Sequence, residues 1–61
     1  MAQLTTKELT ALDEQLNQEQ VYIKKYRTMA GQCSDPQLKQ QLESITARHQ
    51  SHYNTLINHL K

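Results

Sequence analysis

The chain has 61 residues, of which 36% are hydrophobic, and it contains neither Trp nor Phe. A domain this short buries only about 60% of the surface that its unfolded chain exposes, so its stability is marginal and self-association is expected. The single cysteine, Cys33, excludes an internal disulfide and a paired-cysteine zinc site, and a net charge of +1 gives no overall field to recruit nucleic acid or an anionic membrane.

Hydropathy along the chain predicts neither a membrane span nor an export signal. No apolar run approaches the ~20 residues that a membrane-spanning helix needs, and the first residues lack the charged and then apolar layout of a signal peptide. We therefore expect synthesis in the cytoplasm.

The first predicted element is a helix at about 6–32. Its core positions follow alternating gaps of three and four residues, which is the heptad pattern of a packed helix. They are Leu9, Leu12, Leu16, Glu19, Ile23, Tyr26, Ala30 and Cys33. Thr5 or Thr6 can cap the first turn, and Glu8 can accept hydrogen bonds from the backbone amides left free there.

A turn at 33–35 separates this helix from a second one, predicted at about 36–59. Gly31 precedes the turn, Asp35 can cap the new helix, and Pro36 suits its first position, where a missing amide hydrogen costs nothing. The second helix carries another heptad ladder. Its members are Leu38, Leu42, Ile45, His49, His52, Leu56 and His59.

Two helices with apolar ladders and a short turn between them predict an antiparallel hairpin, so residues 1–61 form a single all-α domain. In an antiparallel hairpin the numbers of two facing residues add to a constant, which is 68 when Tyr26 faces Leu42. The same sum places Glu19 opposite His49 and Leu16 opposite His52. A lone hairpin leaves half of its apolar surface open. The predicted assembly is therefore a homodimer that forms a ferritin-like four-helix bundle.

The three polar residues in the ladders, Glu19, His49 and His52, converge on one layer in this register. A dimer would double the layer, with Tyr22, Tyr26 and Tyr53 within hydrogen-bonding range. Di-metal carboxylate bundles use a Glu from each of two helices and a Glu-x-x-His from each of the others. Here that second slot is His49-x-x-His52, which does not support a di-iron oxidase but is compatible with zinc, copper or nickel.

The favoured interpretation of the layer is structural. A buried Glu19 beside His49 can be a hydrogen-bonded pair that sets register at some cost in stability. Metal binding and a misassigned exposed face are the alternatives. His59, near the end of the helix, is expected to interact with the terminal carbonyls. Cys33 is interpreted as a small packed residue, able to cross-link two chains under oxidation, and no catalysis is predicted.

With the segments "LDEQLNQEQVYIKKY", "CSDPQLKQQLESI" and "RHQSHYNTLINHL" in view, the chain resembles the small spore coat proteins of the Coat F family of endospore-forming Firmicutes, over about residues 9–60. The likeness rests on the order of four elements. These are Gln18-Glu19, the stretch 23–26, the turn 34–38, and His49 with His52. The resemblance implies a ferritin-like helical fold, synthesis in the mother cell and assembly into the spore coat. It does not carry over di-iron activity, because the ligand set departs at His49.

The predicted function is thus a structural, non-enzymatic component of the spore coat that needs no cofactor. Its expected partners are a second copy of the chain and other spore coat proteins. One alternative is a metal-binding, rubrerythrin-like protein that uses Glu19, His49 and His52. Another is a small adaptor whose hairpin docks on the helices of a different protein.

Overall fold

The computed structural model describes residues 4–60, which form two helices, α1 (Thr6–Gln32) and α2 (Pro36–Asn58). A three-residue connection folds α2 back along α1, and the helices pack against each other along their length. The resulting slab measures 46 × 17 × 11 Å, so it is two helices wide and one helix thick. The predicted all-α hairpin is confirmed.

A capping box begins α1. The backbone N–H of Glu8 donates to Thr5 Oγ1 over 3.1 Å, and the Glu8 carboxylate accepts from the backbone N–H of Thr5 over 2.9 Å. The hydrogen bond from the Thr5 backbone, assisted by the one with the Thr5 side chain, lowers the pKa of Glu8 below its ordinary 4.5. Two of the unpaired amides of the first turn are thereby satisfied.

The connection between the helices uses no left-handed residue. Gly31 lies inside α1, and Cys33 follows the helix with extended backbone angles, its N–H donating to Ala30 O over 3.3 Å. Asp35 caps α2 as predicted, because its Oδ1 accepts from the N–H groups of Gln37 and Leu38 over 2.9 and 3.2 Å. Cys33 therefore lies in the predicted turn, where it is half-buried although it was counted among the core positions of the ladder.

The far end of α2 stops one residue earlier than predicted, at Asn58. His59 follows it, and the Nδ1 atom of His59 lies 2.9 Å from the carbonyl oxygen of Thr55. This contact with a carbonyl of the last helical turn is the interaction predicted for His59. Neither helix within residues 4–60 combines the length and the apolar character needed to cross a bilayer.

The apolar core is thin. Among the described residues, the buried apolar side chains are Leu16, Ile23, Ala30 and Leu42. Leu9 and Leu38, predicted as core positions, are 46% and 48% exposed. Both lie toward the ends of a two-helix slab, where no third layer of structure covers them.

The inward face of α2 differs from the predicted ladder at one step. Tyr53 is half-buried, whereas the side chain of His52 is 55% exposed, so the predicted core position of His52 opposite Leu16 is wrong. The ladder assumed a repeat of 3.5 residues per turn, but a straight helix has 3.6 and drifts toward the next residue. Tyrosine also offers a larger apolar ring to bury, so the helix turns Tyr53 inward and leaves His52 at the edge.

Candidate functional site

The candidate site is centred on Glu19, a carboxylate in the middle of α1 that is only 4% exposed. Both of its oxygens are occupied: Oε1 accepts from Gln15 Nε2 over 3.1 Å, and Oε2 lies 2.9 Å from His49 Nδ1. A buried carboxylate is costly unless it is hydrogen-bonded or paired. Its location between Leu16 and Ile23 is therefore sustained by these two contacts.

His49 reaches Glu19 from α2, as the predicted hairpin register requires. With Glu19 as acceptor, Nδ1 is the ring nitrogen that carries hydrogen, so the neutral ring keeps a lone pair on Nε2. Two tyrosines hold the imidazole. Its centroid lies 4.9 Å from that of Tyr22 and 5.9 Å from that of Tyr26, and the Tyr26 ring is nearly parallel to it. These rings orient His49, and its side chain remains 21% exposed.

His52 lies at the rim of the site. Its Nδ1 is 3.7 Å from Glu19 Oε2, beyond a normal hydrogen bond, and its ring meets that of His49 edge-on at 5.8 Å. The structure therefore brings together all three residues predicted for the site, but unequally. Glu19 and His49 form a tight pair, and His52 remains accessible to solvent.

Sequence reasoning missed the contribution of Gln15. It lies four residues before Glu19 on α1, a spacing at which helical side chains meet, so this signal was available in the sequence. Of the tyrosines expected near the layer, Tyr22 and Tyr26 contact His49 through their rings. Tyr53 instead accepts a 3.1 Å hydrogen bond from Gln20 Nε2 on the other side of the hairpin.

The donor set fits a divalent transition metal. One ligand atom from each of Glu19, His49 and His52 lies within 4.8 Å of the other two. Bonds of 2.0–2.2 Å in a tetrahedral zinc site place ligand atoms about 3.4 Å apart, so the side chains must adjust by small amounts to bind an ion. Two histidines and a glutamate form a known three-ligand zinc set that leaves one position open. Because an imidazole binds a metal ion only through an unprotonated nitrogen, the affinity of such a site would depend on pH.

Comparison with known proteins finds a relative that is longer than this chain. The chain is 36% identical over 58 residues to the Uncharacterized protein YuzM of Bacillus subtilis (strain 168), and the match covers 95% of this chain and 72% of that protein. No family model matches the chain, and no solved structure matches it. The identity and coverage together show that the chain belongs to the same family as YuzM.

Proposed function

We propose that the chain is a structural, non-enzymatic component of the bacterial spore coat that assembles by packing its hairpin against further helices. The observation that carries the proposal is the surface of the hairpin. Its core is thin, and several large apolar side chains of the described residues remain exposed. These are Leu9, Val21, Met29, Leu38 and Leu60. Covering these side chains in an assembly would remove apolar surface from water and so stabilise the assembled form.

One further observation supports the coat role, which is that the order of motifs resembles that of the Coat F proteins. On this proposal the chain is made in the cytoplasm of the mother cell and then joins the coat, where it pairs with a second copy and contacts other coat proteins.

The state of Glu19 also favours a structural role for the polar layer. Its two oxygens are bound by Gln15 and His49, so the carboxylate is not free to act as a general base. The pair fixes Glu19 of α1 opposite His49 of α2. A shift of register would leave the carboxylate buried without its partner, which costs free energy.

Location during sporulation tests the coat role. A fluorescent fusion of the full chain, expressed at its native level in an endospore-forming host, is expected to form a shell around the developing spore and to remain in coat extracts of purified spores. Free fluorescent protein made in the mother cell is the control and should be lost when that cell lyses. Signal that stays in vegetative cytoplasm or disappears on lysis would contradict the coat role.

A second candidate function is binding of zinc, copper or nickel, favoured by the convergence of Glu19, His49 and His52. Thermal unfolding with and without about 100 µM Zn²⁺ tests it, because a ligand at 100 times its Kd stabilises the native state by about 2.7 kcal/mol. The control is His52→Ala, which removes a ligand whose side chain is 55% exposed and therefore leaves the core intact. Equal shifts in the two proteins, or none in either, would contradict metal binding at this site.

A further inference from the structure

We infer that the hairpin forms an antiparallel homodimer through one defined face, in which the acidic end of each copy lies against the basic end of the other. We call it the groove face and define it by Asp13, Gln20, Lys24 and Arg27 of α1 with Gln50 and Tyr53 of α2. The inference rests on the self-association part of the proposed function. It is independent of the coat role.

The groove face carries a chain of three depressions between the helices. The central one, of about 410 Å³, has Ile23 among its lining residues and Lys24 and Tyr53 on its two walls. It shares Arg27 with a depression of about 390 Å³ toward the turn. A third, of about 500 Å³, lies toward the open end and includes Asp13. Asp13, Gln20 and Arg27 are seven residues apart, so they lie on one side of α1 and the three depressions form one groove.

Charge is segregated along this groove. Asp13 and Glu14 line its open end. Lys24 and Arg27 line the central depression. The depression toward the turn is lined by Arg27 and Lys39 and by one carboxylate, Glu43. The groove is therefore acidic at one end and mainly basic over the rest of its length.

A second copy fits this distribution when it lies antiparallel. Asp13 and Arg27 are each seven residues from Gln20, about 10.5 Å along the helix in opposite directions. A two-fold axis through Gln20 therefore places Asp13 of each copy opposite Arg27 of the other, and every such contact occurs twice. A parallel arrangement would place like charges together, so charge selects the antiparallel one.

Shape and area agree with the same arrangement. The axis through Gln20 brings exposed Leu9 opposite Ala30 and Gly31, and a Cβ built on Gly31 has no atom within 4 Å, so the larger side chain has space to pack. The broad face of the slab, taken as its length of 46 Å times its width of 17 Å, is about 780 Å². A dimer that covered the whole face would therefore approach the ~800 Å² per partner of a stable protein interface.

The opposite face is a poorer match for a second copy. It carries the cluster of Tyr22, Tyr26 and His49, with Lys25 Nζ 5.7 Å from the Tyr26 ring and Arg48 one helical turn before His52. A dimer through the groove face thus leaves the Glu19 layer within each protomer. The bundle predicted from the sequence had instead placed the two layers together at its centre.

Charge reversal in the full chain tests the arrangement by sedimentation equilibrium. Asp13→Lys/Glu14→Lys makes both ends of the groove basic, and Lys24→Glu/Arg27→Glu makes both acidic. Each variant alone is expected to raise the dimer Kd at least tenfold, and an equimolar mixture is expected to form a heterodimer. Lys25→Glu, a reversal on the other face, is the control and should dimerise like the wild type. Unchanged dimerisation of both double variants, or no heterodimer in the mixture, would overturn the inference.

A cross-linking measurement reports the face independently of charge. In a Cys33→Ser background, Gln20→Cys lies on the two-fold axis and is expected to form a disulfide-linked dimer under mild oxidation, whereas Gln18→Cys, away from the groove, is not. Efficient linkage through position 18 alone would place the dimer on a different face. That result would overturn the inference but would still agree with self-association. A wild-type chain that remains monomeric at about 1 mM would overturn both, and circular dichroism of each variant separates these outcomes from loss of folding.

Discussion

Glu19 and His49 form a pair between the helices, with carboxylate Oε2 2.9 Å from imidazole Nδ1, and the two partners are buried to different extents. The Glu19 side chain is 6% exposed, whereas that of His49 is 21% exposed. Removing one partner is therefore not equivalent to removing the other. His49 without Glu19 can turn to water, but Glu19 without His49 remains a buried carboxylate that keeps only Gln15 and the distant His52.

We therefore expect opposite effects from two leucine substitutions. Glu19→Leu should stabilise the hairpin by about 1–2 kcal/mol and make pairing less specific, whereas His49→Leu should destabilise it by about 2–4 kcal/mol by leaving a buried charge unpaired. Urea unfolding at pH 7 measures both free energies. The double variant is the control and should be at least as stable as the wild type. A large loss of stability in Glu19→Leu would contradict this account of the pair.

The capping box gives a stability term that depends on pH. Because the folded pKa of Glu8 lies below its ordinary value of 4.5, the ionised carboxylate stabilises the fold. This contribution is complete above about pH 4.5 and is lost as the pH falls through the lowered folded pKa. Unfolding of the wild type and Glu8→Gln from pH 7 to pH 2 should show a stability difference that shrinks only in the acid range.

The partner residue in the box provides a second measurement. Thr5→Ala removes the oxygen that accepts from the Glu8 N–H and should cost about 1 kcal/mol. Thr5→Ser retains that acceptor and is the matched control. Equal losses in the two variants would show that the cap does not act through the hydroxyl.

Gly31→Ala should stabilise the protein by about 0.5–1 kcal/mol. The residue lies within α1 at an ordinary helical φ, and a Cβ there meets no atom within 4 Å, so alanine removes backbone entropy from the unfolded chain without strain. Ala11→Gly, at an exposed position of the same helix, should lose a similar amount. The measurement is thermal unfolding of both variants and the wild type over a dilution series, which separates any contribution of dimerisation, and a destabilised Gly31→Ala would disprove the explanation.

Two leucines one turn apart on α2 test the position of the core. Leu42 is 7% exposed and Leu38 is 48% exposed. Truncation to alanine should cost about 2–4 kcal/mol at Leu42 and well under 1 kcal/mol at Leu38. Chemical denaturation of both variants in parallel decides the point, and similar losses would indicate that Leu38 is covered in solution.

The fold was predictable because local signals agreed with one another. Thr5 and Asp35 mark the helix starts, Pro36 suits a first helical position, and the short connection permits little except a return along α1. The pairing of Glu19 with His49 also followed from the sequence, since the register that pairs the apolar residues of the two ladders places these two residues opposite each other.

The details of the site were less predictable. His52 and Tyr53 are neighbours in sequence, and which one faces inward depends on the small difference between 3.5 and 3.6 residues per turn accumulated along α2. The exposure of Leu9 and Leu38 depends on what covers the ends of the slab, which is a property of the assembly. Periodicity within one chain carries no information about that cover.

The small number of buried apolar side chains has a calorimetric consequence. The heat-capacity change of unfolding arises chiefly from apolar surface that becomes hydrated, and this hairpin buries little of it. Its heat-capacity change should therefore fall below the usual ~12–15 cal/mol/K per residue, which flattens the curve of free energy against temperature. The isolated hairpin should melt over a broad range of temperatures and lose little stability on cooling.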